Sequence, residues 1–394
     1  MSQRPGRLLV VLGAVYALAP LAIDMYLPGL PALSRDFHAS ASQGQLTLTA
    51  CLLGLGIGQL FAGPISDSRG RRPPLLVGMA AFAIASLVCA LAPSIWALIA
   101  LRFVEGLAGA IGMVIVLAIV RDSFDGHSAA RAYALLILVS GVAPVVAPVL
   151  GAEILRLTSW RGVFIGLGIA GLALLLAVAW ALAETLPVEA RRPGGVGPAL
   201  RTLGALLGDG RFMPFASSFA LMFAAMFGYI AGSSFVLENI YGLSPQLYSV
   251  VFAANAAGLV AVAHIGGKLV ARTGPLVLLR AGLLLSTLGA AGTLLCALTH
   301  GSLALALVSL AVLLAANGFN IPNSAGLALQ DQGERAGSAS ALLGLGQFCL
   351  GAAAAPLVGL AGAHDMTPMA IVIGGCVATA VAIQTRHYLL SRGR

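Results

Sequence analysis

The chain is a succession of apolar runs, each about as long as a bilayer is thick, separated by short polar breaks. A helix rises 1.5 Å per residue and the hydrocarbon core is about 30 Å thick, so a run of roughly 20 apolar residues crosses it. Such runs fall near 7–30, 44–65, 74–92, 95–119, 130–154, 161–183, 212–237, 246–267, 276–298, 302–326, 337–360 and 367–386. Lipid offers no partner to backbone N–H and C=O groups, so segments of this length must be helices. The expected fold is an all-α integral membrane protein with twelve transmembrane helices.

Composition agrees with that reading. Only 9% of the residues are charged, against about a quarter in a soluble domain. The 49 glycines and scarce aromatics suit helices that approach closely in lipid. Ala17-Leu18-Ala19 resembles a signal-processing site after a basic start, but the apolar stretch continues to Leu30, so the first run is expected to stay as a span. The five cysteines (Cys51, Cys89, Cys296, Cys349, Cys376) lie inside apolar runs without metal-ligand spacing. They read as packing residues, and neither a metal nor a cofactor is expected.

A net charge of +8 would point to nucleic acid in a soluble protein, but here it is a topology signal with no nucleic-acid partner implied. With the N-terminus inside, one side receives Arg4, Arg7, Arg69, Arg71, Arg72, Arg121, Arg131, Arg191, Arg192, Arg201, Arg211, Lys268, Arg272, Arg280, Arg335, Arg386, Arg392 and Arg394. The other receives only Arg35, Arg156 and Arg161, with Arg102 left inside a span. By the positive-inside rule both termini are then cytoplasmic and the number of spans is even.

The longest polar connection, with Pro187, Pro193 and Pro198, divides the chain into bundles at 1–183 and 212–394 with a cytoplasmic linker at 184–211. Residues 199–207 could lie as a short helix on the membrane surface. An internal repeat supports the division: Gly63, Asp67 and Gly70 recur as Gly267, Ala271 and Gly274. Duplicated six-span halves are a transporter architecture, so two pseudo-symmetric six-helix bundles are expected.

The loop GPISDSRGRR (63–72) resembles the signature loop of the major facilitator superfamily. DMYLPGLP, LRFVEGLAG, RDSF, GVAPVVAPVLGA, SWRGVF and ETLP resemble the Bcr/CflA drug-resistance branch, more closely in the N-terminal half. The resemblance implies a rocker-type proton antiporter exporting small drugs from a central cavity between the bundles. It also implies that Asp67, Arg71 and Asp122 form a charge relay locking the outward-facing state, beside Gly63, Gly70 and Arg72. Glycines there allow a tight turn and close helix contact. A blander alternative, that the arginines only enforce topology, leaves Asp67 unexplained. Ala271 replaces the acid in the repeated loop, so no second lock is expected.

Asp24 and Arg102 lie at similar depth, on the order of 10 Å below the outer surface by helix rise. A charge there costs several kcal/mol (roughly) unless it is paired or faces a wet cavity, so pairing the two is expected. The pair would be either a proton switch or a static contact. Glu105, one turn from Arg102, is close enough for an intrahelical pair and is a second possible proton acceptor. Gly141, Pro144, Pro148 and Gly151 match the antiporter motif of the family, a helix kinked by prolines that packs on the other bundle; a purely structural bend is the alternative. Tyr26, Gln59, Phe223, Phe227, Tyr229, Asn255, Asn317, Asn320 and Gln347 are expected to include the substrate contacts, the rest bonding to neighbouring helices.

Three functions compete. Export of bicyclomycin- or chloramphenicol-like drugs against protons, by a monomer in a bacterial cytoplasmic membrane, is favoured. Coupled or facilitative movement of a metabolite such as an amino acid is the alternative. An enzyme or receptor is disfavoured: His38, His127, His264, His300, His364 and His387 are scattered, and no P-loop or HExxH motif occurs.

Overall fold

The computed structural model describes residues 5–191 and 203–392. Arg4, Arg192, Arg201, Arg394, Pro193, Pro198 and the first part of the expected surface helix, 199–202, lie outside them; 203–207 are helical. Twelve helices among the described residues are long and apolar enough to cross a membrane. They are span 1 (Leu8–Asp36), span 2 (Ala41–Arg69), span 3 (Arg72–Ala90), span 4 (Ile95–Ser123), span 5 (Arg131–Leu157) and span 6 (Trp160–Ala181). Span 7 (Met213–Ile240), span 8 (Pro245–Thr273), span 9 (Pro275–Thr299), span 10 (Leu303–Leu329), span 11 (Gly337–Leu357) and span 12 (Thr367–Leu390) follow. Several helices run past their apolar stretch, because a helix that has left the hydrocarbon loses no backbone bonds by continuing.

Span 1 is the exception to a simple rod. Its helix Pro5–Asp24 stops, a 3₁₀ turn Leu27–Gly29 intervenes, and a short helix Leu30–Asp36 completes it. The cause is local: Pro28 has no N–H to give the Asp24 carbonyl and disfavours helical geometry in the residue before it.

By its contacts the chain divides into two compact units. The first comprises residues 1–37 and 50–196, and the second 38–49 and 197–394. Residues 38–49, which include the start of span 2, fall with the second unit, and the boundary between the units falls within the 184–211 connection. In the first unit span 1 packs on spans 4, 5 and 6, and span 3 packs on spans 4 and 6. In the second, span 7 packs on spans 10, 11 and 12, and span 9 packs on spans 10 and 12. The neighbour pattern is the same with every span number raised by six. The repeated loop keeps its backbone too, with positive φ at Gly70 (92°) and Gly274 (79°), a conformation that favours glycine.

Within the second unit the start of span 2 is seated by side chains on carbonyls freed by helix irregularities. Pro356 cannot donate to the Ala352 carbonyl, and the Thr49 hydroxyl does so instead (3.0 Å). Span 7 ends in a π-helix at Phe235–Ile240; the Phe235 N–H turns to Gly232, and the Ala231 carbonyl accepts from Gln45 Nε2 (3.1 Å).

Small residues decide how closely helices approach. A Cβ on Gly54 would meet the Phe103 carbonyl, one on Gly106 the Cys51 carbonyl, and one on Gly58 the Ala110 methyl. Spans 2 and 4 thus meet backbone to backbone through a Gly-xxx-Gly and a Gly-xxx-Ala stripe. Gly106→Leu is expected to cost about 3 kcal/mol or more, since a carbonyl cannot rotate away as a side chain can. Thermal unfolding in detergent checks this; a melting temperature equal to wild type would refute the backbone contact.

Candidate functional site

Asp24 ends the first helix of span 1 and is 4% exposed. Its Oδ1 has no hydrogen-bond partner, and it makes no ion pair among the described residues. The expected Asp24–Arg102 pair is therefore not formed. Arg102 instead pairs with Glu105, Nη1 to Oε2 at 2.6 Å, both side chains being wholly buried. Helix geometry explains the preference: Glu105 lies one turn away on the same helix, whereas the Pro28 break ends the helix of span 1 at Asp24.

Arg102 is held on other sides as well. Its Nη2 donates to the Ala22 carbonyl (2.9 Å), and its guanidinium lies over the rings of Tyr26 (4.5 Å) and Phe164 (5.6 Å). The Ser86 hydroxyl donates to Glu105 Oε1 (2.6 Å). Span 1, span 3, span 4 and span 6 thus meet around one ion pair. Tyr26 is a wall of this cluster and is fully buried.

Span 5 reaches the same place. Span 5 stays one helix through Pro144 and Pro148, within Gly126–Leu157, and a Cβ on Gly151 would strike the Met25 carbonyl. That glycine seats span 5 against the break in span 1, immediately after Asp24.

The loop after span 2 brings Asp67, Arg71 and Asp122 into contact. Arg71, 2% exposed, donates from Nε to Asp122 Oδ2 (2.7 Å) and from Nη1 to Asp67 Oδ1 and Ser66 Oγ (2.8 Å to the hydroxyl). Burial opposes its charge, but the bonds to Asp122 and Asp67 outweigh that and hold the guanidinium above its ordinary pKa. Gly70 makes the turn. Gly63 does not serve close contact as expected: it lies in the helix of span 2 with nothing within 4 Å of where its Cβ would be. Arg72 reaches from Nη2 to the Ala179 carbonyl (2.8 Å).

Sequence reasoning missed Glu184. Its Oε1 accepts the Arg71 N–H (2.7 Å) and the N–H groups of Thr185 and Leu186, and its Oε2 accepts the Arg72 N–H (3.2 Å). The carboxylate fills the space where a Gly70 Cβ would stand. Glu184 therefore ties the end of span 6 to the turn that presents Arg71. Burial raises its pKa somewhat, but the four backbone bonds prevail and hold it below the usual carboxylate range. A depressed folded-state pKa means that its contribution is complete above the ordinary glutamate pKa and is lost as pH falls through the lower, folded value. Glu184→Gln should melt below wild type at neutral pH, with the difference shrinking as the pH is taken below the ordinary glutamate range. A constant difference would contradict this.

In the second unit, two of the expected substrate contacts bond to each other and a third bonds to a neighbouring span. Asn255 Nδ2 donates to Tyr229 Oη (3.0 Å), and Asn320 Nδ2 donates to Ser286 Oγ (2.8 Å), joining spans 7 to 8 and 9 to 10. Asn320 Oδ1 has no hydrogen-bond partner, and Asn317, 1% exposed, has none at either amide atom. Phe223 and Phe227 continue a row of rings from Phe219 to Phe348. Gln59, in the first unit, and Gln347 are half-buried. Among the described residues no group of three or more His, Cys, Asp or Glu side chains is placed to hold a metal.

A twelve-span helical chain with repeated halves and charged groups buried inside its spans is a secondary transporter. Residues 12–356 match the model of the Major Facilitator Superfamily, and the chain belongs to that superfamily, a family of transporters and not of enzymes. It is 42% identical over 356 residues to an uncharacterized MFS-type transporter, YdgK, of Bacillus subtilis, covering 89% of this chain and 88% of that one. It is 28% identical to a bicyclomycin resistance protein homolog of Haemophilus influenzae, covering 98% and 96%. Multidrug resistance protein MdtL of Escherichia coli is 37% identical over 183 residues, 46% of this chain and 47% of that one. Among solved structures, a bacterial homolog of the human lysosomal transporter Spinster superposes with a TM-score of 0.76 at 18% identity, covering 98% and 96%. The Escherichia coli xylose transporter XylE gives 0.75 at 14%, covering 97% of each chain. At these identities the structures speak for the fold alone.

Proposed function

We propose that this protein is a proton-coupled antiporter exporting small drugs of the bicyclomycin or chloramphenicol kind across a bacterial cytoplasmic membrane by alternating access. It works as a monomer with both termini in the cytoplasm. The observation carrying the reading is Asp24, a buried carboxylate with no ion-pair partner, set at a break in span 1 and backed by Gly151 of the antiporter motif. A membrane-buried acid is costly and marks an ion or proton path by default. Protonating Glu105 would strip Arg102 of its counter-ion, whereas protonating Asp24 breaks no contact of its Oδ1. Asp24 is the proton carrier, and Arg102 with Glu105 holds the surrounding helices.

The relay of Asp67, Arg71, Arg72 and Asp122, steadied by Glu184, acts as a conformational latch. Asn317, Phe223 and Phe227 contact substrate, since a buried amide without a partner suits a neutral ligand carrying both a donor and an acceptor. The names of the Haemophilus and Escherichia relatives support drugs as cargo. The deciding experiment is drug accumulation in cells lacking their own pumps, with and without an uncoupler. Export predicts that accumulation falls on expression and recovers when the proton gradient is dissipated. Accumulation that rises on expression and falls with the uncoupler would mean uptake and overturn the proposal.

A further inference from the structure

A lateral groove of about 730 Å³ runs between spans 9 and 12 on the second unit. Its floor is made by Ala378 and Ala382 with Thr287 across from them, and Thr385, Arg386 and Leu390 close one end. The small residues follow from the sequence: Ala378, Ala382, Arg386 and Leu390 recur every fourth residue and so share one helix face. From Ala378 to Leu390 the helix rises about 18 Å, close to one leaflet of a roughly 30 Å hydrocarbon core.

The groove faces lipid. Leu284 and Leu288 on span 9 are 63% and 59% exposed, and Leu389 and Leu390 on span 12 are 63% and 61% exposed. Apolar side chains in membrane-spanning helices are exposed to that degree only toward hydrocarbon. The polar groups gather at one end. Arg386 and Thr385 make no hydrogen bond or ion pair with any described residue. Arg280 stands there as well, on the face of span 9 that carries Thr287 seven residues on, with its guanidinium 4.4 Å from the Tyr388 ring centre.

We propose that this groove is a binding site for an anionic phospholipid, with one acyl chain along the alanine floor and the phosphate on Arg386, Thr385 and Arg280. A trough one leaflet long with unneutralised cations at its interfacial end matches such a molecule in length, polarity and charge. Basic sites between transmembrane helices at the membrane surface take acidic headgroups in this way. A zwitterionic lipid would fill the trough but gain less at its end. The site is independent of the drug and proton reading.

The test is native mass spectrometry of the purified full-length protein titrated with phosphatidylglycerol and phosphatidylethanolamine of identical chains. Phosphatidylglycerol should be retained preferentially. Arg386→Gln should weaken its retention about fivefold, the worth of one cation at an anionic surface, with little change for phosphatidylethanolamine, and Arg386→Lys should restore it. Ala382→Phe should reduce retention of both lipids by filling the floor, and Arg272→Gln on span 8 should change nothing. Melting temperatures show that each variant is folded. Equal retention of the two lipids, an Arg386→Gln variant that retains phosphatidylglycerol like wild type, or a second copy of the chain occupying the groove would each overturn the proposal.

Discussion

Asp24→Asn is expected to bring proton-driven drug transport in vesicles down to the level of empty vesicles while leaving drug-for-drug exchange intact. Asparagine imitates the protonated acid in shape and hydrogen-bonding capacity but cannot release a proton. A carrier locked in that form can still bind substrate and change conformation, since a ligand shifts an equilibrium only by its differential affinity for the two states. What disappears is the coupling. Linkage requires that proton and drug each alter the other's affinity by the same factor, so the pH dependence of drug binding should flatten in the variant too. Two readouts therefore move together, transport and the pH slope of binding, and a packing defect would reproduce neither selectively. Full proton-driven transport by Asp24→Asn would end the assignment, and loss of exchange as well as coupling would assign Asp24 to substrate binding instead.

The spans were legible because the bilayer imposes a length and a polarity that a single sequence displays directly. Each of the twelve apolar runs became a helix, and the duplicated loop predicted a shared neighbour pattern. The contact of Arg71 with two acids was legible as well, since Asp67 and Arg71 are four apart and only Asp122 had to be brought from elsewhere. Glu184 was not. It is 113 residues from Arg71 and acts by accepting backbone N–H groups, which no side-chain pattern announces. The pairing of Arg102 was misjudged for a related reason. Depth put Asp24 level with Arg102 and helix spacing put Glu105 within reach of it, and the decision between them rested on a helix break whose effect on one carboxylate requires coordinates. Among the nine expected substrate contacts, Asn255 donates to Tyr229 and Asn320 to Ser286, bonds between helices that the residue types alone do not distinguish from ligand contacts.

The Arg102–Glu105 pair leads to the second large effect. Both side chains are wholly inside the protein, and the neighbours that hold them come from three other spans. Removing one partner of such a pair leaves an uncompensated buried charge and costs about 3–5 kcal/mol. Glu105→Gln is therefore expected to lower the melting temperature sharply, and Arg102→Met to do the same by stranding the carboxylate. The double variant Arg102→Met with Glu105→Leu removes both charges at similar volume, and exchanges of that kind are often neutral or stabilising. It should recover most of the loss, giving a strongly non-additive cycle. Ser86 loses its acceptor in that background, so adding Ser86→Ala should recover a further part. The cycle also separates the two carboxylates. A structural Glu105 predicts unstable single variants, a stable double variant, and pH-dependent drug binding that still follows Asp24. If Glu105→Gln instead melted like wild type and had lost its proton coupling, Glu105 would be the carrier and Asp24 a bystander.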